Sequence, residues 1–146
     1  MTINTFSGPV RCEWCLDSPR DMFLIEPLSF TNTRRVWMAP VGTRFNGASI
    51  PKPLWPIIGS PYVTYARRIS VLHDYYFTIR TIPTIEVNQM FYDGCVADGV
   101  PVVKAKAMYE ALMIFGIRWD EDGEIIRPVL SDDDDLYPFD LTGHLE

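Results

Sequence analysis

The sequence predicts a small α+β domain. An N-terminal antiparallel β-hairpin or small sheet packs on a three-helix unit, and an extended acidic C-terminal arm follows. Three observations predict it. Apolar and β-branched segments flank a turn between Met22 and Pro40. After Tyr62, three successive segments repeat apolar residues every three or four positions, the period of a helix face. From Arg118 onward that period is lost and acids accumulate. The expected division is a single domain over residues 1–117 and an arm over residues 118–146.

The first twenty residues have mixed polarity and end in Ser18-Pro19-Arg20, a turn signal. Met22 to Phe30 reads as a strand, Thr31-Asn32-Thr33 as a turn, and Arg35 to Pro40 as the partner strand of a hairpin. Gly42 to Pro61 is a proline- and glycine-rich loop, a length that inside a small domain points to function or to packing by its own aromatics. The first helix is expected from Tyr62 to about Ile79, with Ala66, Ile69, His73, Tyr76 and Phe77 on one face. Pro83 breaks the chain, and Thr84 is the expected N-cap of a helix from Ile85 to about Ala97, repeating at Ile85, Asn88, Phe91, Tyr92 and Cys95. Asp98-Gly99 closes that helix and Pro101 opens a third, which runs to Phe115. Its core face is read as Val103, Ala107, Met108, Ala111, Leu112 and Phe115. Trp119 to Ile126 reads as a small hairpin or extended arm with its turn at Asp122-Gly123. The 132–135 aspartate run reads as a solvated stretch rather than a calcium loop, and the aromatic-spotted tail beyond it as a docking segment.

Composition narrows the function. The formal net charge of −6 argues against a sequence-independent nucleic-acid binder, which needs a basic face. The Arg34-Arg35 and Arg67-Arg68 pairs are read as solvated surface. No apolar run reaches the roughly 18–20 residues of a membrane span, and no secretory signal is visible. Function is expected in the cytoplasm where the chain is made, or within an assembly. Cys12, Cys15 and Cys95 are expected as reduced thiols. The Cys12-Glu-Trp-Cys15 spacing has only Cys95, His73 and His144 as further zinc ligands and no thioredoxin-like context, so both residues read as parts of a strand or turn.

Two stretches stand out as a built site. Asn46-Gly-Ala-Ser-Ile-Pro-Lys-Pro-Leu-Trp55 feeds a helix that carries His73-Asp74. Adjacent helix residues point about 100° apart, so the two side chains need different partners. Asn88 on the second helix is the expected partner of His73. Backbone groups near Asn46 to Ile50 are the expected partners of Asp74. Such an arrangement suits a histidine general base oriented by a second group, or a small metal site. Ser49 reads as a turn or cap residue rather than a nucleophile, and Trp55-Pro56 as a lid on the core.

The Gly42 to Gly59 segment with its Ala48-Ser-Ile-Pro51 motif, the later His73-Asp74 with tyrosines after it, and Glu86-Val-Asn-Gln-Met-Phe91 resemble domain-of-unknown-function family 1353, a phage and prophage family. The resemblance covers about residues 22–116. The family pattern carries an acid where this chain has Asn46 and another where it has Asn88. The helix pair is also similar in layout to secreted phospholipases A2. That likeness implies His73 as base, Asp74 as calcium ligand and position 88 as the orienting acid. The paired cysteines and glycine-rich calcium loop of those enzymes are not matched.

The resemblance implies a phage-encoded virion or tail-associated structural protein on a degenerate hydrolase-like scaffold. His73, Asp74, Asn88 and Asn46 would form a vestigial pocket, with no cofactor. Partners would be other phage structural proteins and further copies of the chain, with no nucleic acid and no membrane span. The chain would reside in the virion after synthesis in the host cytoplasm. The alternative is a His/Asp-dependent hydrolase of lipid or cell wall, with calcium on Asp74.

Overall fold

The computed structural model describes residues 4–46, 56 and 66–126. The readings of Ser49, of Trp55 as a lid, of the first helix before Ala66, of the acidic run and of the tail lie outside those residues. Among the described residues the fold is α+β, as expected. β1 (Thr5–Phe6), β2 (Cys12–Trp14), β3 (Met22–Leu24), β4 (Leu28–Thr31), β5 (Val36–Ala39) and β6 (Arg44–Phe45) precede three helices. These are α1 (Arg67–Ile79), α2 (Thr84–Ala97) and α3 (Val102–Phe115), followed by β7 (Arg118–Trp119) and β8 (Ile125–Ile126).

The expected hairpin forms from β4 and β5, with Leu28 opposite Ala39 and Phe30 opposite Trp37. Alternation along both strands turns these four residues into the core, where none is more than 1% exposed. Met22 to Phe30, expected as one strand, is two. Pro27 has no N–H to give a ladder and interrupts the run. β4 joins β1 and β5 in one antiparallel sheet, while β3 joins β2 and β6 in another. The chain thus switches sheets across Ile25 to Pro27.

α1 packs against β4, β5, β6 and α2; α2 packs against α3, β1 and β7. The α1 face read from sequence is buried: Ala66, Ile69, His73, Tyr76 and Phe77 all lie inside. Tyr76 also seals an open strand edge. Its hydroxyl lies 2.9 Å from the Met38 N–H, which donates to it, and 3.3 Å from the Met38 carbonyl. A free β5 edge would otherwise offer those groups to another strand.

The two later helices differ from expectation in detail. On α2, Ile85 faces solvent at 57% exposure, and the core is filled by Val87, Met90, Phe91 and Cys95. Thr84 makes no side-chain cap bond. It is taken up instead by the β7–β8 hairpin: its hydroxyl donates to the Trp119 carbonyl at 3.0 Å and accepts from the Trp119 N–H. On α3 the buried stripe is Ala105, Met108 and Leu112. Val103, Ala107 and Phe115 point outward, because α3 rests on α2 along one side. The turn of the 118–126 hairpin carries Gly123 at φ +79, as its Asp-Gly signal implies. The hairpin does not extend from the domain: Trp119 is 3% exposed and its ring packs edge-on against Phe77.

Cys12 starts β2 and Cys15 follows it, and all three cysteines are free thiols. Burial, reinforced by the Asp98 charge, pushes the Cys95 thiol up to about 12. The thiolate is the reactive form. Cys95 should therefore be the last of the three to alkylate in native protein, and should catch up on denaturation. Mass spectrometry of peptides after timed iodoacetamide exposure reads this directly. Early labelling of Cys95 would mean that the α2 seam opens readily.

Candidate functional site

The core side of α1 carries the site. His73 is 2% exposed and Asp74 6%. His73 lies between two rings: Phe91 meets it edge-on at 5.3 Å, and Phe77 stacks at 6.5 Å. Its Nε2 is 2.8 Å from Asn88 Oδ1. The other end of the Asn88 amide, Nδ2, donates to Met113 Sδ at 3.2 Å on α3. That assignment makes Oδ1 the atom facing the ring, and an amide oxygen only accepts. Nε2 therefore carries the proton, and the lone pair of the neutral imidazole sits on Nδ1.

Burial holds the His73 pKa below its ordinary value; the Asn88 hydrogen bond and the Asp74 charge oppose that shift without reversing it. A neutral, Nε2-protonated imidazole is the resting form at neutral pH. The sign for stability follows. A histidine with a depressed folded pKa contributes fully above its unfolded value, near 6.5, and loses that contribution as pH falls below it.

Asp74 looks the other way, toward the strands. Its Oδ2 accepts the backbone N–H of Asn46 at 3.1 Å, just past the end of β6. The Asn46 side chain donates from Nδ2 to Asp21 Oδ1 at 3.0 Å. Asp21 Oδ2 in turn accepts from Arg44 at 2.8 Å, and Arg44 also bonds Asp17. The Arg44 guanidinium beside Asp17 holds that exposed carboxyl below its usual range. Asn46 thus ties α1 to β3 and β6 through one backbone and one side-chain donor.

The structure gives His73 and Asp74 the separate partners expected of them. Asn88 joins His73 across the α1–α2 seam, and Asn46 joins Asp74 at the start of the proline-rich loop. Among the described residues no group of three or more His, Cys, Asp and Glu side chains gathers as a metal site.

Sequence reading missed three supports of the site. Asp21 is the acid that receives Asn46, and an isolated aspartate before a strand gave no signal for that role. Met113 orients the Asn88 amide, and a thioether on a helix reads simply as core. Gly94 lets α1 and α2 approach: a β-carbon there would run into the Ile69 side chain. A glycine inside a helical pattern, which costs about 1 kcal/mol relative to alanine, was the available signal.

Comparison with known proteins agrees with the fold-bearing core. The family model described as Protein of unknown function (DUF1353) matches residues 22–112. An uncharacterized protein, y4jT, of Sinorhizobium fredii (strain NBRC 101917 / NGR234) is 36% identical over 125 residues, covering 84% of this chain and 37% of its own length. A second from the same strain, y4iH, is 37% identical over 83 residues, covering 57% of this chain and 35% of its own length. The chain thus spans about a third of the length of these curated relatives. No solved structure matches it significantly. With more than half of its residues under the family model, the chain belongs to family 1353 of proteins of unknown function.

Proposed function

We propose that the chain is a phage-encoded virion or tail-associated structural protein built on a degenerate hydrolase-like scaffold. Its His73–Asn88 and Asp74–Asn46 pairs act as internal braces. The observation that carries this reading is the closed imidazole: His73 is 2% exposed and faces an amide rather than a carboxylate. A general base must become an imidazolium during turnover. Burial penalises that charge, and Asn88 has none to offset it. Loss of the orienting carboxylate in a triad costs about 10⁴ in rate. What remains favourable is the structural use of the same bonds, which join α1 to α2 and α1 to the two small sheets.

The virion assignment rests on the phage context of the family and is argument by analogy. Its partners would be other phage structural proteins and further copies of this chain. Quantitative mass spectrometry of purified particles of the encoding phage tests it. A reproducible copy number is expected, in threes, sixes or twelves as a symmetric ring requires. Absence from the particles would overturn the reading.

One observation favours the hydrolase alternative: the Asp74 charge beside the ring favours the protonated imidazole that a general base must become. In that reading His73 takes the proton from water and Asp74 binds calcium. Two measurements separate the readings. Calcium at millimolar concentration should leave the melting temperature of a braced structural protein unchanged, and a rise would point to a metal site. Screens with lipid and cell-wall substrates should show no turnover by the native chain.

A further inference from the structure

α3 has two opposite faces. One buries Ala105, Met108 and Leu112 against α2. On the other side lie Val103, 84% exposed, Ile114, 52% exposed, and exposed Ala107 and Glu110. At about 100° per residue these four positions fall within a window of about 60°, centred opposite the buried stripe. Their spacing, i, i+4, i+7 and i+11, is that of a helix–helix seam. Lys106 borders the seam. Neither Lys106 nor Glu110 takes part in the ion pairs formed by the described residues.

We infer that this outer face of α3 binds the same face of a second copy, with the two helices antiparallel. The face is complementary to itself in that orientation only. Val103 of each copy then meets Ile114 of the other, and small Ala107 lies across from Glu110, letting the helices approach. Glu110 of one copy comes level with Lys106 of the other, on the same side of the seam, twice by symmetry. A parallel arrangement would set Glu110 against Glu110 and Lys106 against Lys106. A two-fold, self-complementary patch is the usual form of a homodimer contact. Four seam positions on a fourteen-residue helix make a contact smaller than a stable interface, which takes about 20–30 residues a side. The dimer is therefore weak and matters where the chain is concentrated.

The inference does not depend on the virion reading. A chain that dimerises but is missing from particles would sink that reading alone. A chain that is present in particles yet monomeric in solution would sink this one alone. Sedimentation equilibrium on the 146-residue chain, from about 1 to about 500 µM, is the test. A reversible monomer–dimer equilibrium is expected. Val103→Glu should weaken it at least tenfold. Lys106→Glu and Glu110→Lys should each weaken it, and the two together should restore it. Circular dichroism confirms that these surface variants fold. A chain that stays monomeric at 500 µM overturns the inference. So does a dimer indifferent to Val103→Glu, or a charge swap that fails to restore association.

Discussion

Asn32→Ala should destabilise the domain by about 3 kcal/mol, lowering the thermal midpoint by roughly 10 °C. Asn32 is 4% exposed and stands at the turn between β4 and β5. Its Oδ1 accepts from the N–H groups of Arg34 at 3.0 Å and Arg35 at 3.1 Å, and from the indole Nε1 of Trp37 at 3.1 Å. Its Nδ2 donates to Asp93 Oδ2 at 3.1 Å, tying the hairpin to α2. Alanine removes all four bonds. Water can replace some partners at the turn, but Trp37 has no exposed surface, so its indole N–H is left unsatisfied. That orphan alone costs about 1–3 kcal/mol. Nearby, Arg35 pairs with Glu86 at 2.6 Å and lies over the Trp37 ring, but these contacts are partly exposed and contribute little. Urea unfolding of Asn32→Ala beside Arg35→Ala separates the two. Equal losses would show that the asparagine is not the anchor of the hairpin.

Gly94→Val should cost more than its chemistry alone suggests, about 3 kcal/mol or above. In an open helix, replacing glycine by alanine gains about 1 kcal/mol. Here even the first added carbon meets the Ile69 side chain, which is fully buried and has nowhere to retreat. Gly94→Ala should thus be destabilising despite its helix propensity, and Gly94→Val more so. Shortening the obstacle tests the cause: Ile69→Ala in the Gly94→Ala background should recover part of the loss, a coupling that a double-mutant cycle isolates. The same helix pair holds the 2.8 Å contact between His73 and Asn88. Forcing α1 from α2 should therefore loosen the imidazole as well as the core. Additive losses at Gly94 and Ile69 would rule out their contact as the reason.

Much of this was legible from residue patterns, for identifiable reasons. The α1 face could be read because that helix is packed from several sides, so its apolar stripe is broad and includes His73. The partnering of His73 with Asn88 and of Asp74 with the chain at Asn46 followed from the angle between adjacent helix residues. α3 misled because its surface is apolar nearly all round while α2 covers only one side; periodicity alone did not choose between the two stripes. Thr84 misled because a tertiary bond to Trp119 outbid the local cap. The strand from Met22 was split by Pro27, whose missing N–H was visible, but its consequence, a change of sheet, depends on β1, β2 and β6, which are too short to announce themselves. Asn32 read as a turn residue, which it is. That its side chain also reaches Trp37 and Asp93 is a fact of tertiary packing.

The protonation of His73 tests the central claim most directly. Nitrogen-15 NMR of the imidazoles across pH, with His144→Gln to assign the two histidines of the chain, reads both the charge and the tautomer. A brace predicts a neutral ring at neutral pH, with its proton on Nε2 and a midpoint below the ordinary histidine value. Asn88→Asp should raise that midpoint by about 1–3 units, as an adjacent carboxylate does. A native His73 that protonates at or above the ordinary value would contradict the account and return the histidine to the role of a working base.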